Sequence, residues 1–173
     1  MISVLDASSV VRLAKTDCFH LLKIFEKNYM PKEVYEETVE IPREIGVEDA
    51  LITLRAIENG LIEITDRDVD YKRVMELFGF KEVADSKAIS LCLGEEGVLI
   101  TDDEKMMKAC IWLNLKFQRM INLIFLNVIN EKISVKEANT ILDLLKEKRL
   151  NSIQEIEYTR MLIRRWKNER NVS

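Results

Sequence analysis

The sequence predicts an α/β fold: a central parallel β-sheet with helices on both faces, followed by a C-terminal helical extension. Three observations predict it. Short apolar runs recur along the first 118 residues, at Met1–Leu5, Tyr29-Met30, Leu61–Thr65, Val98–Thr101 and Leu115–Phe117, and buried parallel strands read as such runs. Segments with helical spacing separate them, the alternation expected of strand–helix–strand units. From Met120 on, only helical spacing remains, over 120–130, 134–148 and 152–169. The expected organisation is a sheet domain over 1–118 and a helical extension over 119–173, packed on that domain or on a partner subunit.

Each element has a local reason. Met1–Leu5 ends at Asp6, and Ala7–Lys15 carries Val10, Val11 and Ala14 at helical spacing. Asp17 is placed to cap a helix running to about Glu26. Pro31 closes the Tyr29-Met30 strand and suits the first position of a helix over Lys32–Val39, with Pro42 just beyond its end. Val47–Asn59 is a helix stopped by Gly60. Asp68–Phe78 stops at Gly79, and Val83–Leu93 at Gly94. Glu104–Leu113 follows the Val98–Thr101 strand. Ser134 with Glu137, and Ser152 with Glu155, have the spacing of capping boxes.

Composition narrows the chemistry. Of 173 residues, 47% are apolar and 32% charged, which suits a globular domain with a substantial core. Only five Gly and two Pro are present, so turns are few. Val10 and Val11 lie between Asp6 and Arg12, and no signal-peptide pattern is read there. Met120–Ile129 is apolar but short and contains Asn122 and Asn127, so no membrane span is read. A cytoplasmic location is expected. Cys18, Cys92 and Cys110 form no C-x-x-C pair, which argues for buried reduced thiols and against structural zinc. The one histidine, His20, lies in an apolar helical setting. Histidine-based machinery is therefore disfavoured, and carboxylate chemistry is the expectation. The net charge of −4 means that any nucleic-acid surface must be local.

Asp6 and Asp102/Asp103 follow buried strands. In a parallel sheet all strand C-termini share one edge, where ligand sites form. Asp6 has a plain alternative as a helix cap, as has one of Asp102 and Asp103. Glu37 lies three residues after Val34, close to the inward face of its helix, whereas Glu36 points aside. Asp85 precedes the buried stripe Ala88, Ile89 and Cys92, and a first-turn acid is also explained by the helix dipole. Ser8 serves either as a cap or near a metal-bound water. Singly these acids are weak signals. Together they make a set of oxygen donors suited to Mg²⁺ or Mn²⁺, hard cations that activate water and stabilise charge on a phosphodiester.

Val4-Leu5-Asp6-Ala7-Ser8, Pro31 with Val34-Tyr35-Glu36-Glu37, Asp85-Ser86-Lys87-Ala88-Ile89 and Leu99-Ile100-Thr101-Asp102-Asp103 stand in the order and approximate spacing of PIN domains. Over about residues 1–117 the chain resembles that family, which includes VapC-type toxin ribonucleases. Its helical tail resembles that of prokaryotic PIN-like proteins described as predicted nucleic-acid-binding. The resemblance implies a Rossmann-like three-layer PIN fold, dependence on Mg²⁺ or Mn²⁺ and cleavage of single-stranded RNA. It matches Asp6, Glu37 and Asp85 to the first three motif acids and either Asp102 or Asp103 to the fourth. Thr101 matches a hydroxyl that often precedes these acids. Asp6, Asp85 and Asp102 or Asp103 are the expected metal ligands. Ser8, Thr101 and Lys87 are the expected substrate-side residues, although for Lys87 a solvent-facing position is the plainer reading. The third motif departs from the Glu-x-Glu of related groups, since Asp-Ser-Lys stands here.

The resulting expectation is a metal-dependent endoribonuclease, acting as the toxin half of a toxin–antitoxin pair and forming a homodimer. The alternative is a catalytically weak PIN-like module for RNA binding or protein assembly. It would rest on the tail and its basic cluster, Arg160, Arg164, Arg165, Lys167 and Arg170, for which a solvated face is the plain reading. A phosphotransfer enzyme built on Asp6 is disfavoured because Ser8 breaks the D-x-D pattern.

Overall fold

The computed structural model describes residues 1–170 and contains one five-stranded sheet. Its strands are β1 (Ile2–Leu5), β2 (Lys27–Pro31), β3 (Glu63–Thr65), β4 (Val98–Ile100) and β5 (Lys116–Gln118), in the order β3-β2-β1-β4-β5. Every pairing is parallel, with Val4 opposite Tyr29 and Leu5 opposite Ile100. The expected α/β fold is present.

Alternation along the strands makes three layers. Leu5, Met30, Val98 and Ile100 pack on one face, against α1 (Ala7–Thr16) and α8 (Met120–Ile129), with α9 (Val135–Glu147) and α10 (Ile153–Arg170) in the same apolar core. Val4, Tyr29 and Leu99 pack on the other face. There they meet α5 (Tyr71–Phe78), α6 (Val83–Gly94) and α7 (Glu104–Trp112). Strands with apolar residues on both faces need cover on both, which is why no alternating polar pattern marks them. The one polar pair within the strands is satisfied internally: the Ser3 hydroxyl donates to Asn28 Oδ1 at 2.6 Å. The tail helices are inside the fold. Met120, Leu123 and Ile124 on α8 are fully buried, as are Leu142 on α9 and Ile156 on α10.

Three local expectations are corrected. Asp17 does not begin a helix. It ends α1 in the left-handed conformation (φ 50°), its N–H donating to the Ala14 carbonyl. Phe19–Ile24 is then a 3₁₀ turn. An aspartate tolerates this conformation better than most side chains, so one residue type serves either helix end. Pro42 does not stop the helix that follows Pro31. That helix runs as α2 (Lys32–Tyr35), a π-helical turn over Glu36–Glu40 and α3 (Ile41–Glu44), with Pro42 inside. In a regular α-helix the Pro42 ring would meet the Thr38 carbonyl four residues back. The wider π turn opens that space. Finally, α5 starts at Tyr71 rather than Asp68. The remaining helix, α4 (Glu48–Glu58), ends before Gly60 (φ 71°) as the sequence predicts.

All strand C-termini lie on one edge, and the acids singled out above are delivered there. The Asp6 N–H donates to the Ile100 carbonyl at 3.3 Å, and the Thr101 N–H to the Gln118 carbonyl at 3.0 Å. Both contacts carry the sheet pairing past the formal strand ends, so Asp6 and Thr101 leave the sheet side by side.

Candidate active site

Asp6 caps α1 and is 1% exposed. Its Oδ1 accepts the Ser9 N–H at 2.8 Å, and its Oδ2 accepts the Thr101 hydroxyl at 2.5 Å. The Ser8 hydroxyl lies 2.9–3.0 Å from both oxygens. Burial is the largest influence on its acidity and outweighs these hydrogen bonds, so the carboxyl is pushed up to about 6. Capping and an active-site role, which the sequence leaves as alternatives, coexist geometrically: the cap uses Oδ1 and the hydroxyls orient the rest.

Thr101 links the two strand ends. Its hydroxyl oxygen also accepts the Asp103 N–H at 3.1 Å. Asp103 then caps α7, accepting the Met106 N–H at 2.8 Å through Oδ1. Asp85 sits in the first turn of α6, half-buried, and is likewise pushed up to about 6. Burial comes first among the causes, then repulsion by Asp103, Glu37 and Glu82. Glu37 lies in the π turn, exposed at its surface rather than turned to the inward face, with Glu36 the less exposed of the two. Partial burial and then repulsion by Glu82 raise its pKa. Asp85 therefore feels the charge of Asp103, Glu37 and Glu82, and Glu37 that of Glu82. The cation acting on Asp85 is Lys105, whose ammonium donates to the Gly79 carbonyl at 2.6 Å and lies 4.6 Å from the centroid of the Phe80 ring.

Two expected residues are engaged elsewhere. Asp102 has a buried side chain (1% exposed). Its Oδ1 accepts Arg119 Nε at 3.0 Å, its Oδ2 accepts the Met120 N–H at 3.1 Å, and Arg12 Nε stands 3.8 Å away. Between the adjacent acids the geometry thus separates roles: Asp103 faces Asp85, and Asp102 faces the tail. Lys87 is neither solvated nor turned to the acid group. It pairs with Glu33 at 2.5 Å, stands 3.7 Å from Asp66 and lies over the Tyr71 ring. Glu82 and Lys105 carry no sequence signal of their own; Glu82 precedes a helix, and Lys105 reads as a surface residue.

The acids suit a hard divalent cation in donor type and in charge. All are oxygen donors, and two are held above the usual carboxylate range, Asp6 by burial and Asp85 by burial and the repulsion of neighbouring acids, as expected where positive charge is lacking. Among the described residues no three His, Cys, Asp or Glu side chains close into a metal cage. Mg²⁺ keeps several waters and makes few direct bonds to protein carboxylates, others acting through those waters, so an open group of acids matches its habits better than a closed one would.

Elsewhere, His20 faces Glu137 of α9 at 3.2 Å. Cys18, Cys92 and Cys110 are buried and free, and burial pushes the last two up to about 12. In the basic cluster of α10, Arg160 pairs with Asp143 and Glu157, Arg165 with Glu169, and Arg170 with Glu131. Much of the cluster's charge is thereby neutralised. No helix among the described residues is long and apolar enough to cross a membrane.

No curated protein matches the chain in sequence. A family model described as a PIN domain (DUF3368) matches residues 2–165, tail helices included. With a parallel 3-2-1-4-5 sheet that brings motif acids to its C-terminal edge, the chain belongs to the PIN-domain family, whose members are typically metal-dependent nucleases.

Proposed function

We propose that this PIN domain is a metal-dependent endoribonuclease acting on single-stranded RNA. The observation that carries the reading is the acid group at the sheet edge: Asp6 and Asp85, both pushed up to about 6, beside Asp103 and Glu37, with Lys105 as the cation near Asp85. Asp6, Asp85 and Asp103 would hold Mg²⁺ or Mn²⁺, which would supply activation of a water and stabilisation of the charge developing on a phosphodiester. Thr101 and Ser8 hold the Asp6 carboxylate in orientation. Glu37, on the π turn, would complete the rim and take a proton from an incoming water. Lys105 offsets negative charge at the mouth, where an RNA backbone must approach four acids.

Toxin activity held in check by an antitoxin protein, and assembly as a homodimer, are extensions of the same proposal that rest on the resemblance to VapC-type ribonucleases. The test is cleavage of a labelled single-stranded RNA by the purified chain with Mn²⁺, with Mg²⁺ and with EDTA. Metal-dependent cutting is expected, and Asp6→Asn and Asp85→Asn should each lower it by more than about a hundredfold. Undiminished cutting by folded Asp6→Asn, or none by the unaltered chain with either metal, overturns the reading.

A further inference from the structure

Asp102 is a buried carboxylate at the sheet edge that does not face the acid group, and its contacts all lead to the tail. Arg119, between β5 and α8, donates through Nε to Asp102 at 3.0 Å and through Nη1 to Glu155 in the first turn of α10. Arg12 on α1 stands 3.8 Å from the other Asp102 oxygen, and its Nη1 donates to the Leu150 carbonyl just before α10. These residues line one cleft of about 470 Å³. The backbone of Asp102 is tied the other way: its N–H donates to the Ser8 hydroxyl at 3.0 Å, the same hydroxyl that touches Asp6. The next N–H, of Asp103, is held by Thr101. A loop of three residues thus carries site groups at both ends and an ion-pair anchor at its centre.

We propose that Glu155, Arg119 and Asp102 form a positioning arm through which helix α10 fixes the Thr101–Asp103 loop, so that Asp103 is held in register with Asp6 and Asp85. The proposal rests on the nuclease reading for its catalytic consequence, but not for the mechanical one. Glu155 suits the task because two independent contacts fix it. Its Oε1 takes Arg119, and its Oε2 accepts the Ser152 N–H at 2.9 Å and the Ser152 hydroxyl at 3.0 Å. Partial burial would raise its pKa, but these hydrogen bonds outweigh burial and hold it down to about 2. It therefore stays charged under any working condition. Arg119 presents a planar fork that reaches two carboxylates at once, which a lysine cannot reproduce. The tail helices, on this account, are part of the site's support.

The experiment compares Arg119→Met, Glu155→Gln and Ser152→Ala with the unaltered chain in Mn²⁺. It measures amide hydrogen exchange over residues 101–107 together with kcat and KM for RNA cleavage. Glu155→Gln preserves the capping pattern and removes the charge, whereas Ser152→Ala weakens the cap and leaves the Arg119–Glu155 pair. Arg119→Met is expected to speed exchange at 101–107 and to lower kcat, each by about tenfold, with KM within about twofold, as misplacement of one catalytic group predicts. Glu155→Gln should follow in the same direction. The double variant should be no worse than Arg119→Met alone, since both act through one arm. Ser152→Ala should lower the melting temperature without either change. Exchange at 101–107 unaltered in folded Arg119→Met, or accelerated with kcat unchanged, overturns the arm. An unaltered chain that cuts no RNA overturns the nuclease reading instead, and the exchange of 101–107 alone then decides for or against the arm.

Discussion

Asp6 sets stability against chemistry more sharply than any other residue here. An isolated carboxyl titrates near 3.8, and in the fold Asp6 titrates at about 6. The folded state therefore binds the proton more tightly than the unfolded one does. Whatever the protonated group contributes is fully present below about pH 4 and is lost as the pH rises through 6. At pH 7.5 the ionised, buried carboxylate opposes folding by about 3 kcal/mol, taking 1.36 kcal/mol per pH unit. Asp6→Asn should therefore stabilise the metal-free protein at pH 7.5 while destroying activity, raising Tm by up to several degrees. Differential scanning calorimetry checks the sign: the gain must shrink by pH 5, where Asp6 is already protonated. A variant that melts lower at pH 7.5 defeats the account. Metal binding runs the opposite way. Asp6 and Asp85 both need to lose a proton to hold a cation, so Mn²⁺ affinity by titration calorimetry should fall steeply between pH 7 and pH 5. Mn²⁺ should raise Tm for the unaltered chain and not for Asp6→Asn.

Among the elements, the π turn over Glu36–Glu40 has the most direct bearing on the site. One extra residue per turn rotates everything on its two sides, so the turn sets the direction in which Glu37 points relative to Val34, buried in the core. Pro42 is the sequence feature that accounts for it. Pro42→Ala restores an N–H and removes the ring, letting the helix relax to α register. The expected result is a cleavage rate lowered about tenfold, with Tm unchanged or raised. Unchanged kinetics would show that the turn does not aim Glu37. The same element marks where sequence reading runs out. A proline usually ends a helix, so 32–39 is the natural reading, and only tertiary packing, of α2 against α6 and of the π turn and α3 against α4, makes the interrupted helix continue. Strand ends and most caps were legible because they depend on local chemistry: Asp6 after Leu5, Gly79 after Phe78, Ser152 with Glu155. The separation of Asp102 from Asp103 was not legible. It depends on Arg119 and Arg12, distant in sequence and near only after folding. Lys87 and Lys105 show the same limit, since the first finds Glu33 on another helix and the second a carbonyl and a ring from the α5–α6 turn.

At the scale of the whole molecule, the question is whether 1–118 is a folding unit to which a tail has been added. The apolar face of the sheet formed by Leu5, Met30 and Ile100 shares its core with Met120, Ile121, Leu123, Ile124 and Val128 of α8, each 0–3% exposed. Fully burying one such side chain is worth about 1.5–3 kcal/mol, so five contribute on the order of 10 kcal/mol before losses in chain entropy. A domain's net stability is itself only about 5–15 kcal/mol. Removing α8 alone would thus withdraw roughly the whole margin and leave a wide apolar sheet face in water. Truncation after residue 118 would also take Arg119, Leu150 and the Met120 N–H from Asp102 and Arg12, leaving a buried carboxylate with a single cation 3.8 Å away. The fragment 1–118 is therefore expected to show no cooperative thermal transition and to bind no Mn²⁺, while the full chain melts as one unit. Calorimetry on the two decides it. A fragment that melts cooperatively would show that the sheet carries its own core and that α8–α10 are an appendage, and it would take with it the argument that the tail supports the site.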